Sequence, residues 1–440
     1  MNSRLEQFAN SGFMKKLQQW SVSLSQSPAF GTISVGMGGT MGLIMIGAVI
    51  QIICALGGLV FGWKAGDPIY DALYMPYELT MGLLGLFMSF TLAYNYAKRL
   101  GVKATIQSGF TAMVCFILVC SPITSVTNEA GVTSRVLNVG AMGANGIFAA
   151  ILIGLLSVRI TKFIVDHNLI IRMPDVVPEG ILNSFNSIIP SGVNILFWYG
   201  LSILIAYFSK GSLTLSSLVT TVIATPLSYL VSPIGMIFIV IVYCLSWFFG
   251  IHGGSVVFTA IMPIYIAAYA TNAEMAAAGQ NLIFNPIFLY GCLSILGGSG
   301  NTLPLCIMGL KSKSKQISAV SRASLAPGLF NINEPAIFGF PIMYNPILLI
   351  PFILNSLVVM LFMYLAYTFN LMGLPRVLIM TTLPVGLQQF MATLDWRNLV
   401  FVLLMFPVVY LIYLPFYKVY EKQCLAREEA EAAQSAEAGE

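Results

Sequence analysis

The chain has 440 residues, 58% of them hydrophobic and 9% charged, with a formal net charge of +4. So few charges exclude an ordinary soluble domain, in which about 25% is typical. The small positive surplus is no basis for binding nucleic acid. Apolar runs of roughly 20 residues recur along the sequence, and each is long enough to cross a bilayer. The fold class expected is therefore an all-α polytopic membrane protein.

Residues 1–27 read as an interfacial amphipathic helix, with Phe8, Phe13, Leu17 and Trp20 opposed by Lys15 and Lys16. Spans are expected over about 31–61, 77–97, 104–122, 139–158 and 184–208. Basic residues cluster after the second span (Lys98, Arg99, Lys103) and the fourth (Arg159, Lys162, His167, Arg172). The third and fifth are followed only by Arg135 and Lys210. Basic residues gather in cytoplasmic loops, so this alternation predicts a cytoplasmic N-terminus. The loop Lys311 to Lys315, with Arg322, and the end with Lys418, Lys422 and Arg427 fall on the same side.

Between them, apolar stretches near 213–232, 234–250, 255–271 and 282–310 are short or interrupted by Pro and Gly. Regular spans return at about 346–370 and 398–417. The expected total is about ten helices plus re-entrant pieces. The charge pattern divides the chain into the amphipathic segment 1–27, a regular half 28–210, a broken half 211–420 and a solvated, disordered Ala/Glu-rich tail 421–440. Broken helices mark binding sites in transporters, which directs attention to the second half.

The most unusual stretch runs from Phe330 to Asn345: Phe-Asn-Ile-Asn-Glu-Pro-Ala-Ile-Phe-Gly-Phe-Pro-Ile-Met-Tyr-Asn. Pro335 and Pro341 forbid one continuous helix there. Irregular backbone at membrane depth persists only where protein buries it or where it lines a wet cavity. Glu334, Asn331 and Asn333 are the residue types a hydroxyl-rich ligand needs, because a carboxylate accepts and an amide both donates and accepts. The alternative for Glu334 is a structural carboxylate satisfied by backbone N–H groups of the bend.

A second motif, Trp247-Phe-Phe-Gly-Ile-His252-Gly253-Gly254, sets a histidine between aromatics and a flexible glycine pair. His252 is either a sugar- or proton-handling group with Trp247 as a stacking face, or a histidine bonded to backbone. Gly297-Gly-Ser-Gly-Asn-Thr302 lacks the Lys-Ser/Thr ending of a phosphate loop and reads as a close-packed turn. Asn183 and Asn186, after Met173 to Glu179, either line a cavity or cap a helix. Six of the seven cysteines lie in apolar runs with no metal or disulfide spacing, so neither metal nor cofactor is expected.

Together these motifs, with Met-Pro-Asp-Val-Val-Pro from Met173 and the Tyr-Leu-Pro-Phe-Tyr ending, resemble the IIC permeases of the lactose/cellobiose/chitobiose branch of the bacterial phosphotransferase system (PTS). The resemblance covers about residues 20–422. It implies ten membrane helices, two re-entrant hairpins, a homodimer built through the N-terminal half and an elevator-like movement of the C-terminal half. The family's sugar-holding glutamate and histidine match Glu334 and His252. The phosphoryl group is implied to come from a cysteine on a separate EIIB protein, charged in turn by EIIA.

The chain departs from the family at Met380-Thr381-Thr382-Leu-Pro384, where chitobiose and cellobiose members carry Pro-Trp-Thr and an aromatic face for the sugar. The function expected is uptake of a β-linked disaccharide, such as cellobiose or diacetylchitobiose, through the cell inner membrane. No phosphoryl-carrying residue is expected in this chain, so any enzymatic role is that of a membrane subunit. The main alternative is an ion-coupled secondary sugar transporter. Coupling needs further intramembrane carboxylates, and Glu78 is the one acidic residue placed near a span besides Glu334. A membrane enzyme using His252 and Glu334 as an acid/base pair ranks last, because no nucleophile or metal-ligand set accompanies them.

Overall fold

The computed structural model describes residues 27–127, 131–171, 177–250, 252–343, 345–380 and 383–437. The expected amphipathic segment before residue 27, most of the Met173 to Glu179 linker, and Thr381 and Thr382 lie outside the described residues. The chain divides into two compact units. One comprises Ser23–Tyr229 with Met262–Gln280, and the other contains Leu230–Ile261 and Asn281–Glu440. The division thus falls some twenty residues beyond Lys210, and a later segment rejoins the first unit.

In the first unit the run expected as one span is two helices, α1 Pro28–Gly38 and α2 Met41–Phe61. Thr40 interrupts them by donating its hydroxyl to the Met37 carbonyl at 2.8 Å. α2 ends on Gly62 in the left-handed conformation (φ 73°), which glycine adopts without steric cost. α3 Pro68–Thr80 was not anticipated; proline at its start has the right φ and no N–H to leave unbonded. The second span accordingly begins late, as α4 Leu84–Arg99.

α5 Thr105–Cys120, α6 Ile147–Asp166, α7 Glu179–Asn186, α8 Ile188–Phe208 and α9 Leu215–Leu230 follow. α4 packs against α1, α5 and α6. Small residues permit this: a Cβ on Gly154 would lie 3.1 Å from that of Leu92. Close backbone approach through small residues is how helices associate where lipid competes for apolar surface. Ala93, Ala97, Ala112, Tyr96 and Val158 are fully or nearly buried at this seam.

Two polar pairs cross the seam between helices. Arg159 donates to the Tyr96 hydroxyl at 2.7 Å, and Trp198 donates its indole N–H to Ser157 at 2.8 Å. The opposite side of α8 exposes Leu196, Tyr207 and Phe208, as a lipid-facing surface does. Between α5 and α6, where a plain loop was expected, β1 Ile123–Thr127 pairs antiparallel with β2 Thr133–Leu137. Their β-branched residues suit strands, a propensity that the span-finding pattern ignores.

The second unit holds α10 Pro233–Phe248 and the wide helical turn Gly254–Phe258 that opens α11 Thr259–Ala277; most of α11, from Met262 on, belongs to the first unit. Next come a 3₁₀ stretch Pro286–Ser294, α12 Leu303–Gly309, α13 Lys315–Leu329 and α14 Glu334–Gly339. The unit closes with α15 Pro346–Thr368, α16 Leu387–Thr393 and α17 Trp396–Glu437. α15 is the buttress, packed on α10, the 3₁₀ stretch and α17.

The end of the chain corrects the expected disordered tail, because α17 continues to Glu437. Its carboxylates are used: Glu428 accepts from Ser314 Oγ at 2.6 Å, Gln316 N–H at 3.0 Å and Lys315 N–H at 3.1 Å. Glu421 accepts from the Ser312 hydroxyl and from Tyr417 at 3.1 Å. Glu428 thereby caps the start of α13 and fixes a segment whose composition alone suggests solvation. Cys424, expected to lie outside any span, is 2% exposed on the inner face of this helix.

Among the described residues, five helical stretches are long and apolar enough to cross a membrane: Met41–Gly58, Ala144–Asp166, Gly180–Phe208, Pro346–Thr368 and Trp396–Ala430. Thr105–Cys120 and Pro233–Phe248 are apolar but shorter.

Candidate functional site

The site is built from two breaks in the second unit. Gly297, Gly298 and Gly300 take φ of 84°, 78° and 70°, and Asn301 takes 58°, so the chain between the 3₁₀ stretch and α12 coils without repetitive hydrogen bonding. Buried backbone groups left unpaired are costly, so side chains must satisfy them. Asn301 accepts from Ile295 N–H at 3.1 Å and Leu296 N–H at 3.0 Å, and donates to the Cys292 carbonyl at 2.9 Å. Thr302 donates to the Gly297 carbonyl at 2.8 Å.

The second break holds the first. Asn331, itself left-handed (φ 59°), accepts from Gly297 N–H at 3.0 Å and Gly298 N–H at 3.2 Å. Its amide donates to Gln388 at 3.1 Å. Asn333, 3% exposed, donates to the Ser299 carbonyl at 2.6 Å and to Thr302 Oγ1 at 3.2 Å. A Cβ on Gly298 would stand 2.6 Å from the Asn333 carboxamide oxygen, so the two segments lie in contact. The amides that look like ligand groups in the sequence are thus engaged with the glycine turn.

Glu334 differs. It opens α14 immediately before Pro335, and its side chain is 45% exposed. His252 follows α10, its side chain 50% exposed, with Nε2 3.7 Å from Glu334 Oε1. That separation exceeds a hydrogen bond. The bend that delivers His252 needs glycine: Gly250 has φ 75°, and a Cβ on Gly253 would lie 2.6 Å from the Tyr243 carbonyl.

Trp247 is 3% exposed, and its ring centre lies 4.5 Å from the imidazole at 57°. The ring expected as a sugar-stacking face is therefore packed beneath His252. Its indole nitrogen is buried with no hydrogen-bond partner among the described residues.

The structure thus brings together Glu334, His252, Trp247 and Gly253 at one opening, with Asn331 and Asn333 behind it. Asn183 is elsewhere: it sits half-buried on α7 in the first unit, where its carbonyl accepts from Ser187 N–H. The sequence reading missed Gln388, Asn301 and the Tyr243–Ser299 hydroxyl pair at 2.8 Å. Amides in an otherwise apolar run, such as Gln388 and Gln389, were the available signal. Among the described residues no group of three His, Cys, Asp or Glu side chains is placed to hold a metal ion.

Chemically, a carboxylate accepts hydrogen bonds and an imidazole donates from one nitrogen and accepts at the other. Two such groups, half-open and held by rigid turns, suit a neutral ligand rich in hydroxyls.

Comparison with known proteins converges on one family. The model of the family described as "Phosphotransferase system, EIIC" matches residues 32–356. The lichenan permease IIC component of Bacillus subtilis (strain 168) is 32% identical over 404 residues, covering 88% of each chain. The lactose-specific EIICB component of Lactococcus lactis subsp. lactis is 32% identical over 402 residues, 88% of this chain and 68% of that one. Among solved structures, the transporter ChbC, the IIC component from the N,N'-diacetylchitobiose-specific phosphotransferase system, superposes with a TM-score of 0.85. It is 28% identical and covers 94% of this chain and 98% of its own.

Proposed function

The chain belongs to the EIIC family of the phosphotransferase system, integral membrane permeases, and from that premise we propose that it carries a β-linked disaccharide or short oligosaccharide. The names of the lichenan, lactose and diacetylchitobiose relatives support that substrate class. In this reading the sugar enters from outside and is presented to a phosphocysteine on an EIIB protein, itself charged by EIIA. The pairing of both parts in the lactose-specific EIICB relatives supports the partnership. The phosphorylated product carries a new dianion, which the carboxylate of Glu334 repels, so transport runs one way.

The same reading includes ten spans with two re-entrant hairpins, cytoplasmic termini, a homodimer formed through the N-terminal half and an elevator-like movement of the sugar-bearing half. The likeness to ChbC and the broken segments of the second unit support it.

The observation that carries the assignment is the half-exposed His252–Glu334 pair, 3.7 Å apart on two chain breaks. Glu334 accepts sugar hydroxyls and serves as general base toward the hydroxyl that receives the phosphoryl group, a role worth about 10²–10⁴-fold where it operates. His252, supported by Trp247, orients the same part of the sugar. Asn331 and Asn333 act behind them by fixing the glycine turn.

The test is binding of cellobiose, diacetylchitobiose, lactose, an aryl β-glucoside and free hexoses to the purified protein, repeated with Glu334→Ala. Saturable binding of one β-linked sugar, abolished by the substitution, is expected. Phosphorylation with EIIB, EIIA and phosphoenolpyruvate should then fall in Glu334→Gln. Vesicle uptake that proceeds without EIIB and collapses with a proton ionophore would overturn the reading in favour of ion coupling.

A further inference from the structure

A separate cavity of about 580 Å³ lies wholly within the first unit, between α3, the turn at 139–143 and the end of α11. That volume falls in the range of about 300–1,000 Å³ occupied by small-molecule sites. Three tyrosines of α3 form one wall. Tyr70 and Tyr74 stack at 5.4 Å and 18°, and Tyr74 and Tyr77 meet at 4.7 Å and 30°. Tyr70 and Tyr77 are 9% and 4% exposed, so these rings are fixed in place.

Asp71, Glu78 and Glu274 also line the cavity, and no Lys, Arg or His does. One Asp71 oxygen is engaged by Gly66 N–H at 3.0 Å. The three carboxylates are not grouped closely enough to count as a metal site among the described residues. The lining is therefore rich in acceptors and aromatic faces and, apart from the tyrosine hydroxyls, offers no side-chain donor. A sugar hydroxyl presents both donor and acceptor and would find only the tyrosine hydroxyls as side-chain donors here. An ammonium group has donors only, and it is attracted to aromatic faces as well as to carboxylates.

From this match we propose that the cavity is a binding site for a small organic cation, an amine or quaternary ammonium compound, distinct from the sugar site at Glu334. The ammonium lies beside the row of tyrosines, and Glu274 and Glu78 supply the countercharge. The proposal does not depend on the transport reading, since every residue it uses belongs to the other unit.

The test is calorimetry on the full-length purified protein with tetramethylammonium and 1,4-diaminobutane as probes. Saturable binding is expected, about tenfold or more weaker in Glu274→Gln and in Tyr74→Leu, and unchanged in Glu334→Gln. An unchanged thermal midpoint of the cavity variants in detergent serves as the control for folding. Absence of saturable binding of either probe would overturn the proposal, as would binding unaffected in both cavity variants. So would a neutral disaccharide that binds here and is lost with the same two substitutions.

Discussion

The two units solve the same problem in opposite ways. In the first, α4, α5 and α6 bury continuous helical backbone, so buried polar side chains have no broken backbone to satisfy. They pair with one another or with their own helix, as Trp198 does with Ser157 and Ser108 with the Ala104 carbonyl. In the second, the glycine turn at 297–302 and the bend before α14 leave backbone groups that helices would have satisfied. Asn301, Asn331, Asn333 and Thr302 replace those partners. A cluster of amides in a membrane segment therefore marks broken backbone first, and a ligand site only where a polar group remains open to solvent. Glu334 and His252 meet that second condition.

Substitutions rank by how directly they strike this difference. Gly300→Ala should be worst, because a Cβ there would fall within the Phe352 ring and φ is 70°. Overpacking and a disfavoured dihedral together should cost about 3 kcal/mol or more, seen as a large fall in the thermal midpoint in detergent. An unchanged midpoint would mean the turn is not the rigid floor described. Asn333→Ala leaves the Ser299 carbonyl unpaired in a buried place, and about 2 kcal/mol of destabilisation is expected. Sugar affinity should fall in that variant mainly through loss of folded protein; the reverse, full stability with abolished binding, would make Asn333 a ligand contact instead.

In the regular unit, Tyr96→Phe removes only the hydroxyl that accepts from Arg159, and about 1 kcal/mol is expected. An effect equal to that of Asn333→Ala would erase the contrast between the units. The smallest effect belongs to Asp395, which ends the loop before α17. Its oxygens accept from the Arg397 guanidinium at 2.7–3.1 Å and from Arg397 N–H at 2.9 Å. Those bonds hold the Asp395 carboxyl below its usual value of 3.8. A depressed carboxylate adds stability above its unfolded pKa and loses it as pH falls through the folded one. Asp395→Asn should therefore cost less than about 1 kcal/mol at neutral pH, and its difference from the parent protein should vanish well below pH 3.8.

The residues of the proposed site differ in how legible they were in the sequence. Glu334 stood out because a carboxylate beside two prolines in an apolar chain requires an explanation, and His252 because it sat against glycines. Trp247 was assigned a face that the fold covers, since ring exposure depends on what packs above it. The hairpin at 123–137 and helix α3 escaped because both are short elements between spans, where hydropathy gives no signal. The tail was misjudged because Ala and Glu suit both a solvated coil and a helix, and only the clamp from Glu421 and Glu428 to residues 312–316 selects the latter.

By itself, the sequence determined that this is a helical membrane protein and that its second half is broken around Gly297–Asn301 and Asn331–Pro335. These follow from hydropathy, proline and glycine, whose effects are local. The tertiary structure alone decided that His252 and Glu334, 82 positions apart, meet at 3.7 Å while two neighbouring asparagines turn inward. That choice depends on which backbone groups of a distant turn are left without partners, and no local pattern encodes it.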